Sequence, residues 1–341
     1  MKKIPEFLKC VLALFLSFFV SACSTETGIQ KILGRSASAP LFLDCKPVSE
    51  TELVFNFSLP VRVISFYLDP AAEVASIEEG AEVRISLAEP FGIGEKVMAD
   101  ILVEDESGNT LNVIIPFRSR NNRLPDLVIN EVRTEYSRPR SEFVEFLALS
   151  SGNLGALRLF IAGSSLVKPV YEFPSVEVTA GEYIVLHLRT LDEGCVDELG
   201  TDLSLSRGFD AHDSARDLWI AGSSKLLHKT DAVYLMDQDD IIVSAVLLSE
   251  TQDPWWNKQY MAAAAELFGR QSAWLPVEGE QGTDYVPVPS DAVSTAPVKT
   301  AATRSVSRDE SGTGSNSAVY WYVTATSSAT PGLPNSTKRQ E

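Results

Sequence analysis

Hydrophobic and polar positions divide the chain into stretches with different periods. Val11 to Val20 is an apolar run broken only by Ser17. At 1.5 Å per helical residue it reaches about 15 Å, half of the roughly 30 Å that a bilayer-spanning helix must cover. From residue 40 to 118 the period is two. Leu53, Phe55 and Phe57 alternate with Glu52, Val54 and Asn56, and Val83, Ile85 and Leu87 alternate with Glu82, Arg84 and Ser86. Alternation of this kind predicts strands with one buried face. Asp105-Glu106-Ser107-Gly108-Asn109 lies between predicted strands at 97–104 and 110–117. Its Gly and Asn tolerate positive φ, so a hairpin turn is expected there.

Beyond a charged segment at 119–125, taken as an interdomain linker, strand patterns resume and continue to residue 335. One stretch changes period. Trp256, Tyr260, Ala263, Ala264, Leu267 and Phe268 share a helical face, with Asp253 placed to cap, Pro254 at the first turn and Gly269 to stop. A helix over about 254–268 is expected, its apolar face on the sandwich. Residues 276–317 are rich in Ser, Thr, Ala, Pro and Gly without apolar periodicity, which predicts disorder. Ala318–Val323 reads as a last strand and 336–341 as a tail. Ile-Ala-Gly-Ser-Ser occurs at 161–165 and again at 220–224; two strand-to-turn junctions explain it without a repeat architecture.

The N-terminal run acquires a meaning from its flanks. Lys2, Lys3 and Lys9 precede or open it, and Val20-Ser21-Ala22-Cys23 closes it. This resembles the signal peptide and lipobox of bacterial lipoproteins. The resemblance implies cleavage after residue 22, diacylglycerol on the Cys23 thiol, and durable anchoring, because two or more acyl chains hold a protein on a bilayer where one does not. Ser24 implies sorting to an outer membrane, with the chain facing either the periplasm or the cell surface. Residues 24–39 then form a flexible tether averaging about 20–24 Å in reach.

Charge narrows the partners. The chain carries −17 formally, and removal of residues 1–22, with three lysines and one glutamate, leaves −19. Such a surface repels phosphate backbones, so nucleic acid is disfavoured as a partner. Two clusters, Arg118, Arg120 and Arg123, and Arg133, Arg138 and Arg140, read as a solvated linker and a loop. Cys10 leaves with the signal and Cys23 is lipidated. Cys45 and Cys195 remain, either as two buried thiols or as a disulfide that the compartment permits.

The order of motifs after residue 125 resembles the lamin-tail domain, an Ig-like β-sandwich that also occurs in exported bacterial proteins. Ile129-Asn130-Glu131, Glu142-Phe143-Val144-Glu145, Ala180-Gly181-Glu182-Tyr183 and Thr330-Pro331-Gly332-Leu333-Pro334-Asn335 carry the likeness. It departs after Glu145, where the family has an aromatic and Asn two and three positions on and this chain has Leu147, Ala148 and Leu149. More loosely, 40–118 resembles bacterial Ig-like domains. The expected fold is therefore all-β: two Ig-like sandwiches, at 40–118 and 126–335, the second enlarged by the helix and the loop.

Candidate chemistry is sparse. Asn130, Glu131, Glu142 and Glu145 approach one another if 127–132 and 142–147 pair as a hairpin. Close like charges raise a pKa or recruit a cation, which makes Glu131, Glu142 and Glu145 weak metal candidates. The blander alternative has Asn130 and Glu131 satisfying backbone groups while Glu142 and Glu145 face solvent. Asp210-Ala211-His212-Asp213 offers three ligand types on one loop, without a second cluster to complete a zinc site. His187 lies inside an apolar strand and reads as packed, and no nucleophile elbow, phosphate loop or paired-His motif is found. The expectation is a non-catalytic binding or scaffold lipoprotein of the cell envelope, without a cofactor, held to the bilayer through Cys23 and engaging a protein or glycan. The alternative is a nuclease- or phosphoesterase-type hydrolase, or its accessory, using a divalent metal.

Overall fold

The computed structural model describes residues 39–278, 282, 284–296, 300–311 and 316–340. The signal segment, Cys23 and most of the tether lie outside them. Compact units form at 40–91 with 96–117, and at 92–95 with 118–340. Both are all-β and sandwich-like, and one short helix is added to the second.

In the first unit, β1 (Phe42–Pro47), β2 (Glu52–Asp69), β3 (Val74–Glu78), β4 (Gly80–Leu87), β5 (Lys96–Asp105) and β6 (Thr110–Arg118) make one sheet in the order β3-β4-β2-β5-β6, with β1 also on β2. Two separate sheets are not formed. The 18-residue β2 serves both halves of the unit: its residues 52–56 pair with β4 and 61–69 with β5. Leu53 and Phe55 from its first half, Val61 and Leu68 from its second, and Val83, Ile85, Ala99 and Ile101 bury one core. The alternation read from the sequence supplies that core. In the turn between β5 and β6, the Asp105 carboxylate accepts from Ser107 N (2.9 Å) and Asn109 N (2.8 Å), and only Gly108 takes a positive φ, +81°.

The second unit packs two sheets. One runs β14 (Arg216–Trp219), β13 (Tyr183–His187), β8 (Phe143–Ala148), β7 (Leu127–Arg133), β18 (Val306–Arg308), β19 (Trp321–Val323). The other runs β11 (Tyr171–Glu172), β10 (Arg158–Ile161), β15 (Asp231–Met236), β16 (Ile242–Ser249), β17 (Val293–Ser294). A ribbon of β9 (Gly152–Asn153) and β12 (Glu177–Val178) flanks them. Ile129, Val144, Phe146, Ile184 and Leu186 of the first sheet meet residues such as Leu159, Leu235 and Val246 of the second. Ile129 N donates to Ser244 Oγ (2.9 Å) where the sheets approach.

β15 is buried throughout because both its faces are covered. Tyr234 stacks on Phe160 on its own sheet and meets Phe268 of the helix edge-on at 5.4 Å.

That helix, α1, spans Gln259–Gln271, so it begins five residues later than the sequence suggested and ends three later. Asp253 does not cap it; it accepts instead from Asn257 Nδ2 (3.2 Å) in a preceding bend. Gly269 does not stop it either. A Cβ there would lie 2.4 Å from the Tyr285 carbonyl, so the glycine admits a crossing chain, and Ser272 in the left-handed region ends the helix. Met261, Ala264, Ala265 and Phe268 form the buried face, with Trp256, Tyr260 and Leu267 packed at its margin.

Three further expectations are corrected. Residues 276–317, expected to be disordered, supply β17, β18 and a 3₁₀ turn at Pro289–Asp291 among their described positions. Two- and three-residue strands leave no periodicity to read, and they are held by polar partners such as Trp274 Nε1 donating to Asp291 O (2.7 Å). The supposed linker packs as part of the second unit. Asn121 is buried and donates to the carbonyls of Asn153 (2.8 Å) and Gly155 (2.7 Å), while Arg118, Arg120 and Arg123 pair with Glu172, Asp239 and Glu177. The expected tail folds back: Ala325 N donates to Lys338 O and Gln340 N to Val323 O, both 2.9 Å.

Cys45 and Cys195 are half-buried free thiols. Burial, with Asp44 beside it, pushes the Cys45 thiol up to about 12.

Phe268→Ala should lower stability by about 3–5 kcal/mol, as for a fully buried aromatic. Ser272→Gly, which relieves a left-handed non-glycine residue at the helix end, should raise it by about 1 kcal/mol. Chemical denaturation of the full chain measures both, and opposite signs are expected.

Candidate functional site, a buried polar face

The first sheet of the second unit has one apolar face and one polar face, and both are buried. Alternation puts Ile129, Val144, Phe146, Ile184 and Leu186 inward. The outward residues include Glu131 and Arg133 of β7, Glu145 of β8, His187 of β13, Asp217 of β14 and Ser307 of β18, all buried. Such groups stay out of water only when hydrogen-bonded. Neighbouring strands and two long segments, around 188–215 and 324–340, supply the partners.

Glu131 and Glu145 lie directly across from each other in the β7–β8 register, after an irregularity between Ile129 and Glu131. That extra residue frees Asn130 to turn its side chain along the face. Asn130 Nδ2 donates to Glu145 Oε1 (2.9 Å) and to Glu310 Oε1 (2.7 Å). Glu145 Oε2 accepts from Gly332 N at 2.6 Å. Glu131 accepts from the Ser305 hydroxyl, from Ser307 Oγ (3.2 Å), and from Thr330 N at 3.1 and 3.2 Å to its two oxygens. Tyr183 OH donates to Glu310 Oε1 (3.2 Å), and Asn335 Nδ2 donates to the carbonyls of Asn130 (3.0 Å) and Arg308 (2.9 Å). Gly332 takes φ +79°, and a Cβ on it would meet His212 Cβ at 2.7 Å.

Electrostatics push both carboxyls toward the neutral form. Glu145 is raised well above its ordinary range, first by burial and then by the charge of Glu131; the Asn130 and Gly332 donors oppose this. Burial also raises Glu131, against Ser305, Thr330 and Arg133. The pair titrates as a unit.

Of the three metal candidates, Glu131 and Glu145 converge and Glu142 does not. Glu142 is buried against Arg189, whose Nε and Nη2 reach its two oxygens at 2.5 and 2.6 Å. All four residues of the proposed cluster are buried, so the alternative placing Glu142 and Glu145 in solvent also fails. Among the described residues no group of three or more His, Cys, Asp or Glu is arranged to hold a metal ion. The 210–213 loop divides in the same way. Asp210 pairs with buried Arg133 (2.5 Å), and His212 Nδ1 lies 2.8 Å from Ser214 Oγ.

His187 is packed, as its strand suggested, but with a partner the sequence did not reveal. Its Nε2 lies 2.6 Å from Asp217 Oδ1 and its ring stacks on Trp219 at 3.7 Å. Buried Glu198 accepts from the backbone N–H groups of Leu205, Ser206 and Asp217 at 3.0, 3.0 and 2.8 Å, closing the 192–210 loop around itself. Neither Asp217 nor Glu198 carries a local signal; each lies in an ordinary polar stretch and meets its partners only through the fold.

Residues 125–323 match a protein family described as "protein second domain" (TP_1001_2nd). The match covers more than half of the chain, including every strand of the second unit's two sheets. The chain belongs to this family. An uncharacterized protein of Treponema pallidum (strain Nichols) is 30% identical over 220 residues, which are 60% of this chain and 55% of that protein. The chain thus spans about half the length of this relative. The family match ends before Thr330, so the segment that satisfies Glu131 and Glu145 lies beyond it.

Raised carboxyls fix a sign for stability against pH. Where the folded pKa exceeds the unfolded one, the native state holds protons the unfolded chain has released, so stability falls as pH rises from 4.5 through the raised values. The lowered groups Asp105, Asp202 and Asp309 act below 3.8, while Asp197 and Asp231, also raised by burial, add to the same fall. The melting temperature should decline as pH rises above 4.5, and Glu145→Gln, which mimics the neutral acid, should make the decline shallower. Glu145→Ala should instead cost about 1–3 kcal/mol for each buried donor it strands.

Proposed function

We propose that this chain is an exported, lipid-anchored protein of the cell envelope whose β-sandwich units act as a binding or scaffold module. One observation carries the non-catalytic part of the reading. The groups most suited to chemistry are engaged by the protein itself: Glu142 by Arg189, His187 by Asp217, and Glu131 and Glu145 by the 324–340 segment. They hold loops against a sheet.

The lamin-tail likeness of the second unit belongs to the same proposal. Its support is that residues from all four motifs meet in space. Asn130, Glu145, Tyr183 and Gly332 are joined through Glu310 or directly by hydrogen bonds, although they are spread over two hundred residues of chain. Fold of this type accommodates many functions, so the binding role rests on the site and the anchor.

The anchor rests on the order of charge, apolar run, small residues and Cys23. Cells producing the full chain and fed radiolabelled palmitate should label it and retain it in the membrane fraction. Cys23→Ala should abolish the label and release the chain. Equal labelling of both would overturn the anchoring. Protease treatment of intact and of permeabilised cells then tells surface from periplasmic exposure.

A further inference from the structure

Just before α1, Asp253 to Lys258 forms a bend that exposes the Trp255 indole and leaves that of Trp256 half-buried. Trp255 is 64% exposed, and its Nε1 donates to Asn257 Oδ1 at 3.2 Å. Asn257 in turn donates through Nδ2 to Asp253 Oδ2 at 3.2 Å, which ties the ring to the bend. Trp256 Nε1 donates to the Pro287 carbonyl at 2.8 Å. With both N–H groups engaged by the protein, what these indoles offer outward is ring surface.

Trp256 also walls a recess of about 190 Å³, together with Met261 and Pro289. The rest of the rim is polar: Thr230, Glu250, Thr251, Asn257 and Lys258. Thr230 Oγ1 accepts from Glu250 N (3.1 Å), and Lys258 Nζ donates to Tyr260 OH (3.1 Å), so rim residues are tied to one another and to the helix. Pockets that hold drug-sized ligands run to roughly 300–1,000 Å³, so this recess is small, and it combines apolar surface with a polar rim. Here residues bearing a carboxylate, hydroxyls, an amide and an ammonium surround one aromatic wall, and the exposed Trp255 ring is tied to the rim through Asn257.

That combination matches one ligand chemistry. A pyranose presents a face of C–H bonds, which rests on an aromatic ring, and a girdle of hydroxyls that both donate and accept. Carboxylate and ammonium face such a girdle as acceptor and donor, with their charges offset. The chain's net charge of −17 repels polyanionic glycans. We propose that the recess beside Trp255 and Trp256 is a binding site for a neutral carbohydrate. This deepens the binding role proposed above by naming a ligand class and a site; it does not depend on the acyl anchor.

The test uses the full chain purified in detergent, titrated with neutral oligosaccharides: tetramers of N-acetylglucosamine, glucose in α-1,4 and β-1,4 linkage, and mannose. Saturation-transfer NMR reads binding and the part of the sugar in contact. At least one tetramer should bind. Trp255→Ala should weaken it by roughly tenfold or more, as loss of an aromatic anchor does, and Glu250→Gln should weaken it too. Trp255 is exposed, so an unchanged melting temperature confirms that the variant folds. Binding by none of the four, or undiminished binding by Trp255→Ala, overturns the proposal. Cys23→Ala should bind the sugar as wild type does, so failure of the anchor and failure of this site give different results.

Discussion

A carboxylate can be buried only if something supplies hydrogen bonds or a proton, and β7 and β8 bury two of them face to face. The arrangement of the outer face around them follows from meeting this demand. Glu131 draws in Ser305, Ser307 and the backbone of Thr330; Glu145 draws in Asn130 and the backbone of Gly332. Besides Asn130, their partners come from β18 with the residue before it and from residues 324–340, so closing the carboxylates also fixes where that segment runs. A hydrophobic pair at these positions would pack just as densely without selecting one partner segment, and the value of such polar contacts lies in that selection.

The same device recurs along the sheet. Asp217 holds His187 and the 212 amide, Glu198 gathers the 192–210 loop, and Arg133 and Arg189 each take one acid. The sheet's inner face is an ordinary apolar core. Its outer face is a row of separate, specific attachments. Chemistry-bearing residues in such a row resemble a reactive site when read along the chain, because the residue types are the same; the distinction lies in whether their lone pairs and protons are already engaged.

How much of this was legible depended on distance along the chain. Leu53, Phe55, Phe57, Val83 and Ile85 were readable as core because alternation is local, and the Asp105–Asn109 turn because its hydrogen bonds span four residues. The convergence of Glu131 and Glu145 was readable from one hairpin. The contact of Thr330 with Glu131, 199 positions apart, left no periodic trace, though the Thr-Pro-Gly-x-x-Asn motif marked the segment. Glu142 was grouped with the wrong acids because its partner, Arg189, lies 47 residues on. Serine-rich composition at 276–317 suggested disorder, yet Ser305 and Ser307 are chosen to serve a buried acid. Gly269 suggested a stop, where the constraint was the passage of Tyr285.

The segment from Thr330 to Asn335 is made well after the acids it satisfies: 199 positions separate Thr330 from Glu131 and 187 separate Gly332 from Glu145. Synthesis runs from the N-terminus, so β7 and β8 emerge long before Thr330 and Gly332 are there to donate. Contacts of such long range form late and slowly, since a large loop must close before they contribute. A polypeptide interrupted before residue 330 carries the entire apolar core and lacks the clasp on its opposite face. Its Glu131 and Glu145 have lost backbone donors that no other residue replaces. Such a product would be a sandwich with one open side, told apart from the closed form by a handful of hydrogen bonds to two buried acids.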